Sequence, residues 1–408
     1  MELTITDAAR VFTDASAYAD EARFYAACAL LRRECPVAFV DVKGFAPFWA
    51  LTRYEDLMAV ERAPSLWVNT PRPALAPGSQ VSADIPVRTL VQMDAPDHTA
   101  YRKISIDWFK QSNISRLATR SAELAKRAVD HMADLGGECD FFTDIAVDYP
   151  LYIILALLGL PEEDFPRMLK LTQEMFGRDD PEMARENEGD SLMASLHEFF
   201  EYFEGLIADR RANPRDDLAS VIANAEIDGE PIGVLEAVGY YVIIATAGHD
   251  TTSSAISGGF AALLARPDQL HRLTSDPALV PSAVEEMFRY VSPVKQFMRT
   301  ATCEQVLGGV TIPEGGAVLL SFPAANRDET VFARPEEFNV ARDPNRHVAF
   351  GFGAHYCLGT HLARLETRAF YNELIPRLDH AELAGEPEFM RTLFVGGPKH
   401  VPVRYRLH

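Results

Sequence analysis

One uninterrupted helical pattern, running from about residue 232 to 265, most constrains what this chain can fold into. Its main part, VLEAVGYYVIIATAGHDTTSSAISGGFAALLA, is apolar on most helical faces and is followed by Arg266-Pro267, which ends the pattern. At ~1.5 Å per residue such a helix is ~50 Å long, enough to cross a whole domain. Its apolar faces predict burial through its middle. Because a long central helix cannot be divided between two domains, we expect residues 1–408 to form a single domain.

The remaining pattern is mostly helical with a small β region. A turn at Lys43-Gly44 lies between CPVAFVDV and APFWALT, which predicts a β-hairpin. The runs QVLGGVTI and AVLLSF and the tail KHVPVRYRL predict further strands. The acidic stretch 177–189 predicts an exposed loop or the start of a helix. Residues 322–350 are expected to form an irregular segment. The last helix is expected to begin near Leu358. Apolar residues recur at three- and four-residue spacing in 101–135, 149–160, 165–177 and 190–212, and a later helix holds SAVEEMFRYV.

Composition and charge exclude several classes of function. The formal net charge of −20 argues against nucleic acid, whose phosphates need a basic surface. The chain has no run of eighteen apolar residues, so the sequence predicts no membrane span, and the polar N-terminal segment lacks the features of a secretory signal. We therefore expect a cytoplasmic location. A monomer is also expected. The five cysteines are scattered and odd in number, which does not indicate a disulfide framework.

The densest pattern surrounds Cys357, in the segment FGFGAHYCLG from Phe350 to Gly359. Two glycines two residues apart permit turns closed to other residues and allow close approach to a flat ligand. The unpaired N–H groups of a helix start would lower the pKa of a thiol placed there. A thiolate on such a loop suits haem iron. The alternatives are a small buried hydrophobic residue or a catalytic nucleophile, although His355 lies in the turn and no third orienting group is evident.

Halfway along the long helix lies the segment Ala247-Gly248-His249-Asp250-Thr251-Thr252. Ala247 and Gly248 leave room for a group to press against one helix face. Thr251 can turn its hydroxyl onto the carbonyl four residues earlier and loosen the helix. A carboxylate beside a hydroxyl in such a groove can relay protons. By themselves, however, Ser and Thr clusters in helices are usually structural.

Two further residue pairs are only weak indicators of a functional site when each is taken alone. Glu286 and Arg289 are three residues apart on a helix, where a chance surface pair is common. His98 and Arg102 are four apart after the helix start Asp94-Ala-Pro-Asp97, and could grip a carboxylate or simply form a solvated face.

Taken together, these segments resemble the cytochrome P450 family. The cysteine loop matches that family's haem-binding signature FGxGxHxCxG at every fixed position. The resemblance covers roughly residues 20–408 and is nearest to the bacterial terpineol monooxygenase branch, on segments such as GECDFFTDIAVDYPL, ATAGHDTTSSA and NRHVAFGFGAHYCLG. It implies the cytochrome P450 fold: a mostly α single domain with a long central helix, a small β region and a cysteine loop.

The resemblance also implies a set of site residues. Cys357 would be the axial ligand of the iron of haem b (iron protoporphyrin IX), Asp250 the acid and Thr251 the alcohol of the oxygen-activation motif, and His249 would face away from the iron. A buried ion-pair network that shapes the cysteine loop would comprise Glu286, Arg289 and Arg342. The remaining haem contacts would be His98, Arg102, Arg299, His355, Ala247, Gly248, Phe350, Gly351 and Gly359.

The activity implied is a monooxygenase reaction, in which O₂ is the co-substrate and electrons come from NAD(P)H through redox partners. Peroxide-driven relatives lack the acid–alcohol pair, and a haem-based sensor would need an output domain for which no residues remain. The substrate should be small and mostly apolar, of terpenoid or alkylaromatic class, beneath a lid formed by 68–92. The pocket residues expected above the haem are Ile243, Ile244, Ala247, Val294, Phe297, Phe394 and Val395.

The expected electron donor is an iron–sulfur ferredoxin with its reductase, because the chain carries no flavin domain. The stretch 101–126 holds six basic residues against Asp107 and Glu123, and could steer an acidic partner or be an ordinary solvated face. The basic residues in question, with two from near the cysteine loop, are Arg102, Lys103, Lys110, Arg116, Arg120, Lys126, Arg346 and Arg364.

Overall fold

The structure, a computed structural model, describes residues 3–78, 88–184 and 191–408. Helices make up most of it. In chain order they are α1 (Ile5–Ala9), α2 (Ala15–Ala19), α3 (Glu21–Glu34), α4 (Tyr54–Glu61), α5 (Asp97–Ile106), α6 (Gln111–Ile114), α7 (Ala118–Asp134), α8 (Asp148–Leu158), α9 (Phe165–Phe176), α10 (Ser191–Ala212), α11 (Leu218–Ala223), α12 (Val234–Leu264), α13 (Pro267–Ser275), α14 (Val280–Val291), α15 (Phe322–Ala325) and α16 (Thr360–Arg377).

The strands are short and mostly antiparallel. They are β1 (Val37–Val40), β2 (Phe48–Leu51), β3 (Trp67–Val68), β4 (Glu138–Asp140), β5 (Glu226–Ile227), β6 (Glu230–Pro231), β7 (Gln296–Ala301), β8 (Gln305–Leu307), β9 (Val310–Ile312), β10 (Ala317–Ser321), β11 (Leu378–Leu383), β12 (Glu388–Phe389), β13 (Pro398–His400) and β14 (Pro402–Leu407). The main sheet has the order β1-β2-β10-β7-β3, and only β2 and β10 pair in parallel.

The predicted long helix is α12, whose 31 residues run from Val234 to Leu264. It is buried along most of its length and packs against α8, α9, α10 and α14. The largest apolar core of the described residues forms around it, with Phe260 and Tyr241 among its fully buried side chains. The mostly α prediction with a small β region is therefore confirmed. None of the helices in the described ranges is long and apolar enough to cross a membrane.

Several local predictions changed. The continuous helix expected over 101–135 is divided into α5, α6 and α7, because Lys110 takes an extended backbone conformation after the buried Phe109. The hairpin around Lys43-Gly44 is present as β1 and β2. The last helix begins at Thr360, two residues later than expected.

Two expected segments lie partly outside the described residues. The proposed lid, 68–92, loses 79–87 in this way, and the acidic stretch 177–189 loses its end from 185. In the described part of the former, Arg72 donates hydrogen bonds to the carbonyls of Ala46 and Pro47. The organisation of residues 1–408 as one domain stays a prediction.

Candidate active site

The cysteine loop is held by its own backbone. The Cys357 N–H donates to the Phe350 carbonyl over 2.9 Å, which closes the loop, and Gly351 donates to Val348. Gly351 and Gly353 have φ angles of +67° and +70°, a region that disfavours other residues. A Cβ atom on Gly353 would lie 2.2 Å from the Glu61 carbonyl oxygen. Glycine at 353 is therefore required both by conformation and by the approach of α4.

Cys357 reaches the surface of this loop, and its side chain is exposed. Because the surrounding protein still desolvates the sulfur, burial raises the pKa of Cys357, opposed by the N–H of Gly359 and the hydroxyl of Thr360. The expectation of a lowered thiol pKa is thus wrong for the protein alone. The physical reason is that α16 begins only at Thr360, so the helix start contributes less than desolvation costs.

One face of α12 differs from the rest of that helix. Ile243, Ala247 and Thr251 are four residues apart; Ile243 and Thr251 are half-buried, and Ala247 is exposed. Spacing by four residues places them on one face. The Thr251 hydroxyl donates to the Ala247 carbonyl over 2.7 Å, as its position in the sequence predicts. Between Ala237 and Leu264 the helix is otherwise buried apart from Gly248, so it has one accessible stripe that ends in a hydroxyl.

Asp250 lies beside that stripe but is 7 % exposed, and its Oδ2 atom has no hydrogen-bond partner among the described residues. Burial raises the pKa of Asp250, and the neighbouring His249 lowers it. An incompletely satisfied buried carboxyl is able to take up or give a proton.

Gly248 has a packing role in this structure. A Cβ atom there would lie 2.3 Å from Ile154 Cδ1 of α8, so the absent side chain makes room for α8. Ile244, expected above the haem, is 7 % exposed and lies in the apolar core.

The rings of His98 and His355 are in contact, with centroids 4.0 Å apart and planes tilted by 33°. Burial, together with the charge of Arg102, lowers the pKa of His98. Burial, His98 and Arg299 lower the pKa of His355 to about 3. Both imidazoles are therefore neutral near pH 7, and the buried Nε2 of His98 has no partner among the described residues. Positive charge in this group comes from the arginines.

Arg102 and Arg299 approach the histidines from different elements. Arg102 Nη2 donates to the Tyr356 carbonyl over 2.5 Å, which ties α5 to the cysteine loop. Arg299 Nη2 donates to Glu61 Oε1 over 2.6 Å, and Glu61 Oε2 accepts from the Phe352 N–H over 3.1 Å. A cavity of about 440 Å³ is lined in part by Glu61, Asp94, His98, Arg299 and His355.

The buried ion-pair network is present. Arg289 donates to both oxygens of Glu286, over 2.7 and 2.8 Å, and Arg342 Nε lies 3.0 Å from each of them. Glu286 and Arg289 are fully buried. Arg289 also donates to the carbonyls of Asn326 and Pro335, in the segment that leads to the cysteine loop. The network thus anchors that segment on α14.

Four expected pocket residues meet at the ends of β7 and β13. Val294 and Val395 form a β-bridge, and the rings of Phe297 and Phe394 are 5.3 Å apart. Phe176, at the end of α9, lies 6.0 Å from the Phe394 ring. Together they form an apolar group from three separate parts of the chain.

Sequence reasoning missed Glu61 and Phe176. Glu61 ends α4 in an ordinary pattern, YEDLMAVE, and nothing local relates it to Arg299. Phe176 follows the apolar periodicity of α9 and is indistinguishable by pattern from a core residue.

A long buried helix with one accessible stripe, packed in a mostly α fold with a glycine-rich cysteine loop, defines a class of haem-thiolate protein. Residues 278–400 match the sequence profile of the family described as Cytochrome P450. The chain is 43 % identical to Cytochrome P450-terp from Pseudomonas sp over 95 % of each chain. It therefore belongs to the cytochrome P450 family, and it is a monooxygenase that uses haem iron and O₂.

Two further similarities give the range of relatives. The methyl-branched lipid omega-hydroxylase of Mycobacterium tuberculosis is 34 % identical, over 93 % of this chain and 90 % of that protein. The crystal structure of CYP108D1 from Novosphingobium aromaticivorans superposes with a TM-score of 0.91 at 39 % identity, covering 99 % of both chains.

The residues present fit a haem group. Cys357 is exposed on a loop that only glycine permits, Thr251 ends an accessible stripe, and His98 Nε2 is a buried atom without a partner among the described residues. Two arginines and two neutral imidazoles supply the donors that propionates need.

Proposed function

We propose that this protein is a ferredoxin-dependent monooxygenase that hydroxylates a small, mostly apolar substrate, with Cys357 as the iron ligand. The observation that carries the proposal is the Asp250–Thr251 pair, in which a buried, incompletely satisfied carboxyl adjoins an accessible hydroxyl on α12. A haem protein that only sensed a gas or carried electrons would have no use for such a pair.

Haem would be held by three groups of residues. Cys357 would bind the iron, and Phe350, Gly351, Gly359, Ala247 and Gly248 would border the ring. His98, Arg102, Arg299 and His355 would bind the propionates, with the imidazoles as neutral donors. When bound, haem supplies reductive activation of O₂ and transfer of one oxygen atom into a C–H bond.

Protons would be delivered from α12. The Thr251 hydroxyl, which donates to the Ala247 carbonyl, can turn from that carbonyl toward the accessible face. Asp250 would hold the next proton, because burial raises its pKa and so favours the protonated form. Glu286, Arg289 and Arg342 would act only by fixing the cysteine loop.

The apolar character of the substrate is supported by the pocket residues. Val294, Phe297, Phe394 and Val395 form one apolar group, joined by Phe176. A substrate that binds to such a group of side chains gains affinity largely from burial of its apolar surface, at ~25 cal/mol per Å². The names of the relatives agree with this class, since one concerns a methyl-branched lipid and another a protein called P450-terp.

Electrons would come from an acidic ferredoxin that docks near the cysteine loop. Of the basic residues expected there, Lys103, Arg116 and Arg346 are exposed and have no ion-pair partner among the described residues. Phe352 and Tyr356 of the loop are also exposed. The expected contribution of Lys110 and Arg364 is smaller, because they pair with Asp107 and Glu285.

Substitution of the ligand tests the proposal directly. Cys357→Ser should abolish the red-shifted, thiolate-type absorption of the reduced carbon monoxide complex. Persistence of that band in the variant would disprove the ligand assignment.

Assays of NADH consumption with ferredoxin and reductase separate the monooxygenase from its rivals. Turnover with ferredoxin supports the proposal, whereas turnover with hydrogen peroxide alone would indicate a peroxygenase. Optical titration of the ferric protein with terpenoids, alkylaromatics and branched alkanes then tests the substrate class. Tight spectral binding of sugars or nucleotides, and none of hydrocarbons, would contradict it.

A further inference from the structure

The segment that follows α9, residues 177–184, is anchored to a distant part of the chain. Its side chain Asp180 is fully buried, although the sequence predicted an exposed loop or helix start here. Asp180 Oδ2 accepts from the N–H of Arg391 over 3.0 Å, and Asp179 Oδ2 accepts from the N–H of Leu393 over 3.3 Å. The segment is therefore bound to the connection between β12 and β13.

This connection also carries part of the apolar pocket. Phe394 directly follows Leu393, and its ring lies 6.0 Å from that of Phe176, the last residue of α9. The hydrogen bonds of Asp179 and Asp180 thus join the chain close to each ring. They keep the two rings of the pocket together.

Two side chains of β13 hold the same segment by charge. Lys399 Nζ lies 3.2 Å from Asp180 Oδ1 and 2.8 Å from Glu182 Oε2. His400 Nε2 lies 2.7 Å from Glu182 Oε1. Burial raises the pKa of Asp180, yet hydrogen bonds from backbone N–H groups and from Lys399 lower it below its usual value. The buried carboxylate is therefore ionised and compensated by Lys399.

His400 has a carboxylate at each ring nitrogen. Its Nδ1 atom lies 2.6 Å from Asp140 Oδ2 of β4, on the other side of the ring from Glu182. A carboxylate can only accept, so both contacts are hydrogen bonds only when both ring nitrogens carry protons. Burial lowers the pKa of His400, but Asp140 and Glu182 raise it above its usual value. The doubly protonated ring is therefore stabilised by both contacts.

Loss of one of these protons releases Glu182 rather than Asp140. Asp140 Oδ1 also accepts from the N–H groups of Phe142 and Val401, so the backbone fixes its position. The exposed Glu182 carboxylate has Lys399 as its other partner among the described residues. A neutral ring donates from one nitrogen only, and therefore keeps the fixed carboxylate and turns a lone pair toward the other.

The other charged groups around His400 come from its own strand and from neighbouring elements. Lys399 precedes it on β13, and Glu388 is its register partner on β12. Asp144 and Asp180 accept from the N–H groups of the two residues whose carboxylates bind the ring. Because none of these is a histidine, His400 is the group of this cluster that changes charge between about pH 6 and pH 8.

The strand that holds the segment is itself fixed. Gly397, which precedes β13, lies so close to α12 that a Cβ atom there would be 2.7 Å from Ser254 Cβ. Movement at these contacts therefore falls to residues 177–184.

We propose that residues 177–184 are a clasp over the apolar pocket, held closed by Lys399 and by the doubly protonated form of His400. While the clasp is closed, Phe176 stays against Phe394, and a bound apolar molecule leaves slowly. Loss of the second ring proton weakens the clasp, so that apolar molecules enter and leave faster as the pH rises. The inference rests on the proposed apolar pocket and adds control of access to it.

Amide hydrogen exchange of the haem-loaded protein tests the clasp without any substrate. The N–H groups of Arg391 and Leu393 are protected by Asp180 and Asp179, so they report whether the segment is closed. After correction for the intrinsic rate, their exchange should be about tenfold faster at about pH 8 than at about pH 6, because a hydrogen bond to a charged group contributes at least about that factor. In His400→Gln, which has no charge to lose, exchange should be fast at both pH values.

Release of a ligand that binds to the iron tests the consequence for the pocket. Phenylpyridine binds to haem iron through its ring nitrogen, whatever the natural substrate is, and its release can be followed optically by stopped flow. The release rate should rise by about tenfold over the same pH range in the unsubstituted protein, and should be fast and independent of pH in His400→Gln. A rate that is constant in the unsubstituted protein, or that still depends on pH in the variant, would overturn the proposal.

Neighbouring aspartates give a matched comparison. Asp180→Asn removes the buried charge that Lys399 binds, and should speed exchange and release at every pH. Asp179→Asn removes an exposed charge and should have a smaller effect. His271→Gln, at an exposed histidine of α13, should leave both pH profiles unchanged. Equal effects of His271→Gln and His400→Gln would count against the clasp, because the pH dependence would then not arise at β13.

The remaining outcomes also decide. If His400→Gln does not fold, the unsubstituted protein is sufficient: faster exchange at Arg391 and Leu393 at the higher pH supports the clasp, and constant exchange overturns it. Exchange that changes with pH while phenylpyridine release does not would show that the segment does not control the pocket, which also overturns the proposal. If no hydrocarbon binds in the optical titration, the proposed substrate class fails, whereas exchange and phenylpyridine release still decide whether the clasp exists.

Discussion

Arg299 donates to the Glu61 carboxylate over 2.6 Å inside the cavity that also contains His98 and His355. The guanidinium assigned to a haem propionate therefore already has an anionic partner from α4. The same carboxylate accepts from the Phe352 N–H, so that one side chain links α4, β7 and the cysteine loop. Glu61 thus holds two haem-binding elements, β7 and the cysteine loop, in position independently of haem.

Removal of Glu61 should be costly. Glu61→Ala leaves the buried Arg299 with the proposed propionate as its remaining anionic partner, and should lower the free energy of unfolding by about 1–3 kcal/mol. Chemical denaturation followed at the haem absorption measures this. The control is Glu55→Ala, which removes an exposed carboxylate from the same helix. Equal stability of the two variants would show that Arg299 does not depend on Glu61.

The network around Glu286 should be still less tolerant. Glu286→Ala leaves Arg289 and Arg342 with uncompensated buried charge, a loss of more than about 3 kcal/mol. Most of the soluble, haem-loaded protein should disappear, as measured by haem content per chain. Glu304→Ala, at an exposed turn, is the matched control. Normal haem content in Glu286→Ala would show that the cysteine loop folds without this network.

Thr251→Ala should bind haem and substrate normally, because the hydroxyl takes part in proton delivery rather than in the pocket. Product per NADH should fall by roughly an order of magnitude or more, with the electrons recovered as hydrogen peroxide. Thr251→Ser keeps a hydroxyl and should retain most of the coupling. Full coupling in the alanine variant would exclude the proposed role.

Sequence alone was sufficient for features whose determinants are local. The bounds of α12 came within two residues of the prediction because its apolar pattern and Arg266-Pro267 define it. The cysteine loop could be predicted because its turns require glycines with positive φ angles, and these glycines are recognisable in the sequence. The assignment of His98 and His355 to one site, and of Glu286 and Arg342 to one ion-pair network, came only from the resemblance.

Long-range partners could not be predicted in this way. Glu61 and Arg299 are 238 residues apart, and no periodicity relates them. The pairing of Arg364 with Glu285 depends on how α16 meets α14. Residue type gives the charge of a side chain, whereas packing decides whether that charge is compensated. The positive charge of the basic stretch 101–126 therefore looked more uniform in the sequence than it is in the structure, where some of its side chains are paired and others are not.

His400 should make stability depend on pH. It lies between Asp140, 2.6 Å from Nδ1, and Glu182, 2.7 Å from Nε2. Burial lowers the pKa of His400, but these two carboxylates raise it above its usual 6.5. A raised pKa means that the stabilisation is complete below 6.5 and is lost as the pH rises through the folded-state value.

We expect the melting temperature to fall between roughly pH 6 and pH 8 in the unsubstituted protein, and less so in His400→Gln. His271→Gln, at an exposed histidine that has no carboxylate partner among the described residues, is the control. Identical pH dependence in the His400→Gln variant and the unsubstituted protein would exclude this pair of contacts as the cause.

Docking of the electron donor should depend on only part of the basic stretch. Lys110 pairs with Asp107, Lys126 with Asp130 and Arg364 with Glu285, so their fields are partly cancelled. Lys103 and Arg116 have no such partner within the described ranges and are exposed. Uncompensated charges steer an acidic protein most strongly, and the effect is screened within about 8 Å at physiological ionic strength.

Charge reversal at Lys103 and Arg116 should therefore slow ferredoxin-driven turnover by roughly tenfold at low salt, the lower end of the range for electrostatic steering. Substrate binding should not change, because neither side chain belongs to the apolar pocket. Lys43→Glu makes the same charge change in the β1–β2 turn and should have little effect, whereas Lys110→Glu should have an intermediate one because Asp107 already offsets it. Stopped-flow reduction by ferredoxin across a salt series measures the association step itself. If neither charge reversal nor ionic strength changes the rate of reduction by ferredoxin, the partner docks on another face.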